Sequence, residues 1–276
     1  MREVPSTLEA AGPLALPAPR PSPWPRLCAL AGELRGAALV LLLDYDGTLV
    51  PFAETPGLAV PDVPLLDLLA ALAARPRTRV HVVSGRAPEV LERWLGDLPI
   101  ALHAEHGLWS RPAPAVAWHA LETPPVTWRQ PVQAVLEEFA ACTPGALVEE
   151  KTLSLAWHYR AADPELGPRR AQALQRRLGE VLSNLPAEIL EGEKVIEIRP
   201  RGVNKGRIPR DLSDRLPAGV RVVALGDDRT DEDLFAALPP GAVALHVGPT
   251  ASAAPWRLAD VAAARRFLRL LLEAPE

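Results

Sequence analysis

The sequence predicts an α/β protein: a doubly wound, Rossmann-like parallel sheet interrupted by a small inserted α/β module. Three observations lead there. Short apolar runs without alternation, AALVLLL at 37–43, RVHVV at 79–83 and RVVAL at 221–225, have the pattern of strands covered on both faces. Segments of helical period separate the first runs, and strand–helix–strand succession implies right-handed crossovers with a ligand site at the carboxyl ends of the strands. Between about 124 and 200 the rhythm changes to helices and alternating strands, after which the buried-strand pattern returns.

The elements follow in order. Residues 1–27 (MREVPSTLEAAGPLALPAPRPSPWPRL) carry a proline every few positions and no period, so a disordered or loosely attached arm is expected. The first strand ends at Asp44. A loop bearing Pro and Gly leads to a helix over Asp62–Ala74, with Asp62 as N-cap and Val63, Leu65, Leu66, Leu69 and Leu72 inward. A strand over Arg79–Val83 ends at Ser84-Gly85-Arg86. A helix over Pro88–Leu95 follows, turning Val90, Leu91, Trp94 and Leu95 inward, and a third strand over Pro99–His103 ends in Ala104-Glu105-His106-Gly107.

The inserted module is assigned to 124–200, with the core formed by 28–123 and 201–276. Its helices are expected over Arg129–Ala141 and Asp163–Asn184, and its strands over Ala146–His158 and Glu188–Pro200. In the first strand Leu153, Leu155 and Trp157 face one way, while Thr152, Ser154, Ala156 and His158 face the other. The core resumes with the strand over Arg221–Leu225, a helix over Asp231–Leu238, a strand over Ala242–Val247 and a helix over Asp260–Glu273.

Composition narrows the function. With 48% hydrophobic residues, 276 residues suffice for one large core, or a core plus a smaller domain. A formal net charge of −4 gives no basic surface for nucleic acid. The N-terminal segment has no uninterrupted apolar stretch of signal-peptide type, and no run is long enough to span a bilayer, so no membrane association is expected. The only cysteines, Cys28 and Cys142, lack metal-ligand spacing. Cys142 is expected to line a core as a free thiol, in a reducing, cytoplasmic setting. A monomer is the default expectation, although the sequence leaves oligomeric state open.

The strongest chemical signal is Asp44-Tyr45-Asp46-Gly47-Thr48. Two carboxylates two positions apart at a strand end can act together on a phosphate and its metal. By average composition the D-x-D-G-T string arises by chance in on the order of one in several hundred chains of this length. The alternative for the string alone is an Asx-type turn closing a strand.

These residues resemble the first motif of haloacid-dehalogenase-superfamily phosphatases, and the other motifs appear in order. The resemblance implies Asp44 as nucleophile, forming an aspartyl phosphate, and Asp46 as general acid and then base. It implies that Gly47 lets the backbone approach the phosphate and that Thr48 orients the loop. Ser84, with Gly85 and Arg86, matches the phosphate-binding second motif. Lys205, in Val203-Asn204-Lys205-Gly206, matches the cation that offsets transition-state charge. Gly226-Asp227-Asp228 matches the magnesium-binding fourth motif, and Asp231 lies nearby. Mg2+ takes hard oxygens in an octahedral shell, so the implied ligands are Asp44, Asp46 through its backbone carbonyl, Asp227 and Asp228.

Within that superfamily the chain is similar to the trehalose-6-phosphate phosphatases, from about Leu41 to Leu258. The match rests on GDDRTDED at 226–233, on Glu149-x-Lys151 followed by His158-Tyr159-Arg160, and on GEKVIEIRPRGVNKG at 192–206 with Glu197 in the matching place. The resemblance implies that the inserted module is a cap and that Glu149, Lys151, Arg160 and Glu197 bind the sugar, with Asn204 beside them. Carboxylates accept from hydroxyls, whereas Lys and Arg donate. One departure stands out: several members carry a basic residue after the glycine matched by Gly192, where this chain has Glu193, and Lys194 is the expected substitute. Glu105-His106-Gly107 resembles the family's loop after the third strand, with a structural or cap-contacting role expected for His106. A different sugar phosphatase on the same core, for sucrose phosphate or glucosylglycerate phosphate, remains an alternative, as does a catalytically silent regulatory module.

Overall fold

A computed structural model of the chain describes residues 20–114, 116–120, 126–213 and 215–273. The first helix, α1 (Trp24–Arg35), lies partly within the stretch expected to be an unstructured arm. Pro25 sits in its first turn, where the missing N–H costs no hydrogen bond. Leu27, Leu30, Ala31 and Leu34 are buried, so this helix is part of the packed core. The rest of the expected arm, residues 1–19, lies outside the described residues.

The core elements then alternate: β1 (Ala38–Leu43), α2 (Val63–Ala74), β2 (Thr78–Val83), α3 (Pro88–Leu95) and β3 (Ala101–Ala104). Two short antiparallel strands, β4 (Trp109–Arg111) and β5 (His119–Ala120), extend the edge. The chain returns to this sheet after residue 200 through α6 (Arg207–Ser213), β10 (Val220–Gly226), α7 (Arg229–Ala236), β11 (Val243–Val247), β12 (Trp256–Leu258) and α8 (Val261–Leu270). The eight-stranded order is β12-β11-β10-β1-β2-β3-β4-β5, parallel from β12 through β3.

Strand β1 is central and covered on both faces, which explains its unbroken apolar run. Leu39, Leu41 and Leu43 pack with α1, α2, α3 and α8, whereas Val40 and Leu42 pack with Ile208 of α6 and with Leu234 and Phe235 of α7. The strand order reverses between β1 and β10, where a doubly wound sheet opens a crevice at its carboxyl edge. Asp44 follows β1 and Asp227 follows β10, so the topology brings both to that crevice.

Helix α2 has the expected N-cap, Asp62 accepting from the Leu65 N–H at 3.0 Å. Its inner face differs from the expected one: Leu65, Leu68, Leu69 and Leu72 are buried, and Val63 is 67% exposed at the first turn. In α3, Pro88, Leu91 and Leu95 are buried, while Val90 and Trp94 stay partly exposed.

Between residues 129 and 200 lie α4 (Arg129–Ala141), β6 (Leu147–Glu150), β7 (Leu155–His158), α5 (Leu166–Val181), β8 (Ala187–Gly192) and β9 (Val195–Pro200). Each of the two long strands expected here is an antiparallel hairpin, giving a four-stranded sheet in the order β6-β7-β9-β8. The four-residue loop 151–154 joins Glu150 to its partner Leu155, which shares its face, so the side-chain alternation shifts by one position across the turn. The tighter turn at Glu193-Lys194 uses a non-glycine residue with φ 61° at Lys194. One face of this sheet packs Leu155, Trp157, Ile196 and Ile198 against α4 and α5. Strand periodicity then turns Glu149, His158 and Glu197 to the other face. Cys142 is exposed and its neighbour Thr143 is buried, the reverse of the core-lining thiol expected from sequence.

Among the described residues no helix is long and apolar enough to cross a membrane.

Candidate active site

At the carboxyl edge of β1 the backbone turns sharply through Gly47, at φ 78°. A Cβ there would lie 2.1 Å from Asp227 Oδ2, so both the left-handed conformation and the close approach of β10's terminus require glycine. Thr48, fully buried, donates its hydroxyl to Asp227 Oδ1 at 2.9 Å, tying the two strand ends together.

Lys205, at the entry to α6, is buried and donates to Asp44 Oδ1 at 2.6 Å and to Asp231 Oδ1 at 2.8 Å. Burial opposes its charge, but Asp231 and Asp44 outweigh it and hold the Lys205 pKa well above the ordinary lysine value. The other Asp231 oxygen accepts from the N–H groups of Asp227 and Asp228 at 3.0 and 3.2 Å. Asp228 caps α7, accepting from the N–H and hydroxyl of Thr230 at 2.8 and 2.7 Å. Two carboxylates three residues apart thus divide the work: one caps the helix and the other orders the loop that caps it.

Oxygens of Asp44, Asp227 and Asp231 all lie within 4.8 Å of one another. The trio contains Asp44 and Asp227 of the expected ligands together with Asp231, which the sequence placed only nearby. The crowding has a cost. Burial, with Asp44, Asp231 and Asp228 close by, pushes the Asp227 pKa up to about 10. Asp44 is also raised, by burial first and then by Asp228 and Asp46, against the opposing pull of Lys205. One lysine does not balance this group, and its all-oxygen donor set suits a hard divalent cation.

Asp46 projects into the cleft, held by Arg86 through Nε at 2.7 Å and a terminal guanidinium nitrogen at 2.5 Å. Arg86 also stacks over Trp94, 4.6 Å from the ring centroid. Ser84 is buried, and its hydroxyl accepts from the Arg86 N–H at 3.2 Å, so here it shapes the loop. Gly85 and Arg86 line the cleft.

The opposite wall comes from the second sheet. Glu149 accepts from His158 Nε2 at 2.7 Å. Glu197 is nearly buried and is met by Ser154 Oγ at 2.6 Å, His106 Nε2 at 3.1 Å and Lys151 Nζ at 3.3 Å. Burial alone would raise the Glu197 pKa, but Lys151, His106 and the Ser154 hydroxyl outweigh it and keep it well below the usual carboxylate range. Arg160 donates to the Glu193 carbonyl at 2.6 Å and lies 5.0 Å from the Phe52 ring centroid, bridging the two rims.

One cleft therefore has Asp44, Asp46, Arg86, Lys205 and Asp228 on the core side and Glu149, Lys151, Arg160 and Glu197 on the other. Two of the residues expected on the sugar side do not line it. Lys194 sits in the β8–β9 turn, where its carbonyl accepts from Tyr159, and Glu193 takes the wall position. Asn204 turns its side-chain oxygen to the Gly206 N–H at 3.1 Å. Sequence reading missed Phe52 and Ser154, which carry no motif signal, noted Glu193 only as a departure from the family pattern, and underrated Asp231, whose signal was the Asp228-x-x-Asp231 capping pattern.

A parallel sheet with this carboxylate–lysine floor has the fold of haloacid-dehalogenase-type phosphatases, to which solved structures align at low identity. Residues 42–262 match the trehalose-phosphatase family model, and the chain belongs to that family. It is 44% identical over 234 residues to a bifunctional trehalose-6-phosphate synthase/phosphatase of Thermoproteus tenax, covering 85% of this chain and 31% of the relative. To a trehalose-phosphatase of Saccharomyces cerevisiae it is 38% identical over 217 residues, covering 71% of this chain and 24% of the relative. The chain thus spans about a quarter to a third of the length of these curated relatives. The C-terminal domain of C. albicans trehalose-6-phosphate phosphatase superimposes with a TM-score of 0.85 at 29% identity, covering 93% of this chain and 99% of that one.

Proposed function

We propose that this protein hydrolyses trehalose 6-phosphate to trehalose and inorganic phosphate, with Mg2+ as its metal. The observation that carries this reading is the single cleft with phosphate chemistry on one wall and sugar-hydroxyl partners on the other. The eight-stranded sheet with its helices acts as the core and the four-stranded sheet with α4 and α5 as a cap closing over the substrate, with one hinge near 200–205; the other expected hinge, 107–124, lies partly outside the described residues.

Asp44, oriented by Lys205, attacks phosphorus in line. The bond from phosphorus to the sugar oxygen breaks as the bond to the Asp44 carboxylate forms. Asp46 gives its proton to the departing oxygen, then takes one from the water that hydrolyses the aspartyl phosphate. In the described state Arg86 occupies both Asp46 oxygens. A phosphate dianion competes for the same guanidinium, so substrate entry frees Asp46 for proton transfer. Lys205 offsets charge on the phosphoryl group. Asp44, Asp227 and Asp231 would hold Mg2+, with the Asp46 carbonyl as a further oxygen; the metal would neutralise the carboxylates and polarise the phosphoryl oxygens. Glu149, Lys151 and Glu197 bind the sugar hydroxyls, and Arg160 guards the rim.

The test is phosphate release from a panel of phosphorylated sugars, with Mg2+ and with chelator. Trehalose 6-phosphate is expected to be preferred over sucrose phosphate and glucosylglycerate phosphate, and activity is expected to vanish with chelator. Equal rates across the panel would reject the substrate, and full activity in chelator would reject the metal.

A further inference from the structure

The tight turn after β3 does something that neither the proposed chemistry nor the family match assigns. Glu105 and His106 both adopt left-handed backbone, at φ 45° and 57°, a region that non-glycine residues seldom enter and Glu has no special tolerance for. Backbone strain of this kind persists where surrounding contacts over-determine it, and here they do. The Glu105 N–H donates to the Arg86 carbonyl and the His106 N–H to the Ser84 carbonyl, both at 2.9 Å, so the backbone of the turn grips the phosphate loop.

The side chains reach the other way. Glu105 is buried, and its two oxygens accept from consecutive N–H groups of the β6–β7 turn, Thr152 at 2.9 Å and Leu153 at 3.1 Å. That turn begins at Lys151. His106 reaches Glu197 on β9, and its ring lies so close to the phosphate loop that a Cβ on Gly85 would come within 2.7 Å of Cε1.

We propose that Glu105 is a positioning residue: its carboxylate latches the β6–β7 turn to the core and so sets the distance between Lys151 and Glu197 on the sugar side and Asp44 on the phosphate side. Glu105 does not line the cleft and touches no reacting group. It acts through the turn it holds. The strained backbone is what lets one short segment grip the phosphate loop by its main chain and the second sheet by its side chains. The inference deepens the sugar-phosphate reading and rests on it for the identity of the substrate, although the latch itself is a matter of geometry.

The discriminating variant is Glu105→Gln, which keeps size and one acceptor but turns an NH2 group toward a backbone N–H. Three readouts are taken on the full chain: thermal unfolding, amide hydrogen exchange at Thr152 and Leu153, and the kinetics of trehalose 6-phosphate against p-nitrophenyl phosphate. Losing one charge-assisted hydrogen bond predicts exchange at these amides faster by roughly 10- to 100-fold, and kcat/KM for the sugar phosphate lower by a similar factor. Turnover of the aryl phosphate, which needs no sugar wall, is expected to stay within about twofold.

Equal losses on both substrates would mean general damage and overturn the proposal, as would unchanged exchange or an unchanged sugar-phosphate rate. If the variant does not fold, the wild type decides the matter. Thr152 is solvent-exposed, so strong protection of its amide supports the latch and exchange at the open-chain rate overturns it. If the wild type hydrolyses the aryl ester but not trehalose 6-phosphate, the substrate assignment fails while the exchange data still judge the latch.

Discussion

Replacing Asp44 by asparagine tests the chemistry and the electrostatics of the floor together. The Asp44 carboxylate lies within 4.8 Å of both Asp227 and Asp231 and 2.6 Å from Lys205. At an effective dielectric of about 20 the contact with Lys205 returns about 6 kcal/mol. The charges of Asp228 and Asp46 oppose it, while Asp227, with its pKa pushed up to about 10, carries a proton in chelator. Burial, the largest influence on Asp44, is left to decide the sign, and it opposes the charge. Asparagine keeps the shape and removes that charge, while Lys205 retains Asp231 as partner. In chelator the variant is expected to be more stable than wild type by about 1–2 kcal/mol, raising the melting temperature by ~2–4 °C. Turnover should fall by at least about 10⁴-fold. The assays are scanning calorimetry with and without Mg2+ and phosphate release under saturating substrate. A lower melting temperature in chelator would refute the charge arithmetic. Activity within tenfold of wild type would refute the nucleophile.

Three further outcomes follow from the same geometry. Gly47→Ala places a Cβ against Asp227 at a left-handed position; phosphatase activity is expected to fall by at least about 100-fold, and circular dichroism should still report a folded chain. Glu197→Gln leaves Lys151 short of a counter-charge, and the KM for trehalose 6-phosphate should rise about 10- to 100-fold, with a much smaller effect on p-nitrophenyl phosphate; equal effects on both would remove Glu197 from sugar recognition. The third concerns His81 and His103, stacked and hydrogen-bonded at 3.0 Å in the core, where burial, with Arg79 adding, lowers the His81 pKa to about 4. The folded state then binds fewer protons than the unfolded one, so stability is lost as pH falls from about 6.5 toward 4, by about 3 kcal/mol from His81 alone. Urea titrations should show that slope in wild type and a flatter one in the double leucine variant; identical slopes would sink the assignment.

What the sequence revealed, and what it hid, follows from how each feature is encoded. The buried parallel strands were legible because packing on both faces demands an unbroken apolar run, and Asp44, Ser84 and Asp227 stand where those runs stop. The two hairpins beyond residue 146 were not legible. The loop Lys151-Thr152-Leu153-Ser154 carries no Gly, Pro, Asn or Asp to announce a turn, and the Glu193-Lys194 turn lacks the glycine or asparagine that marks a tight hairpin. Helix α1 was hidden because proline reads as a breaker, although it is tolerated in a first turn. The division of labour between Asp228 and Asp231 depends on which carboxylate faces the helix end, and that is set in three dimensions. The same holds for Arg86, placed by motif at the phosphate but found on Asp46.

The two walls of the cleft solve opposite electrostatic problems. On the sugar side every charge is answered: Glu197 has three partners, and both it and Lys151 are held in their ionised forms against burial. A fully satisfied buried network is rigid and costs little to maintain once built, which fits the sugar recognition proposed for this wall. On the phosphate side Asp44, Asp227, Asp228 and Asp231 face one lysine, and Asp227 and Asp231 are pushed well above ordinary carboxylate pKa values, chiefly by burial and then by the charge of Asp44. Such an arrangement is stable only because the surrounding fold compels it, and a divalent cation relieves it. A metal held by these carboxylates would draw part of its affinity from relieving that crowding. Substitutions that relax the floor should raise stability in chelator and lower metal affinity together, whereas substitutions on the sugar wall should lower stability and leave metal affinity unchanged.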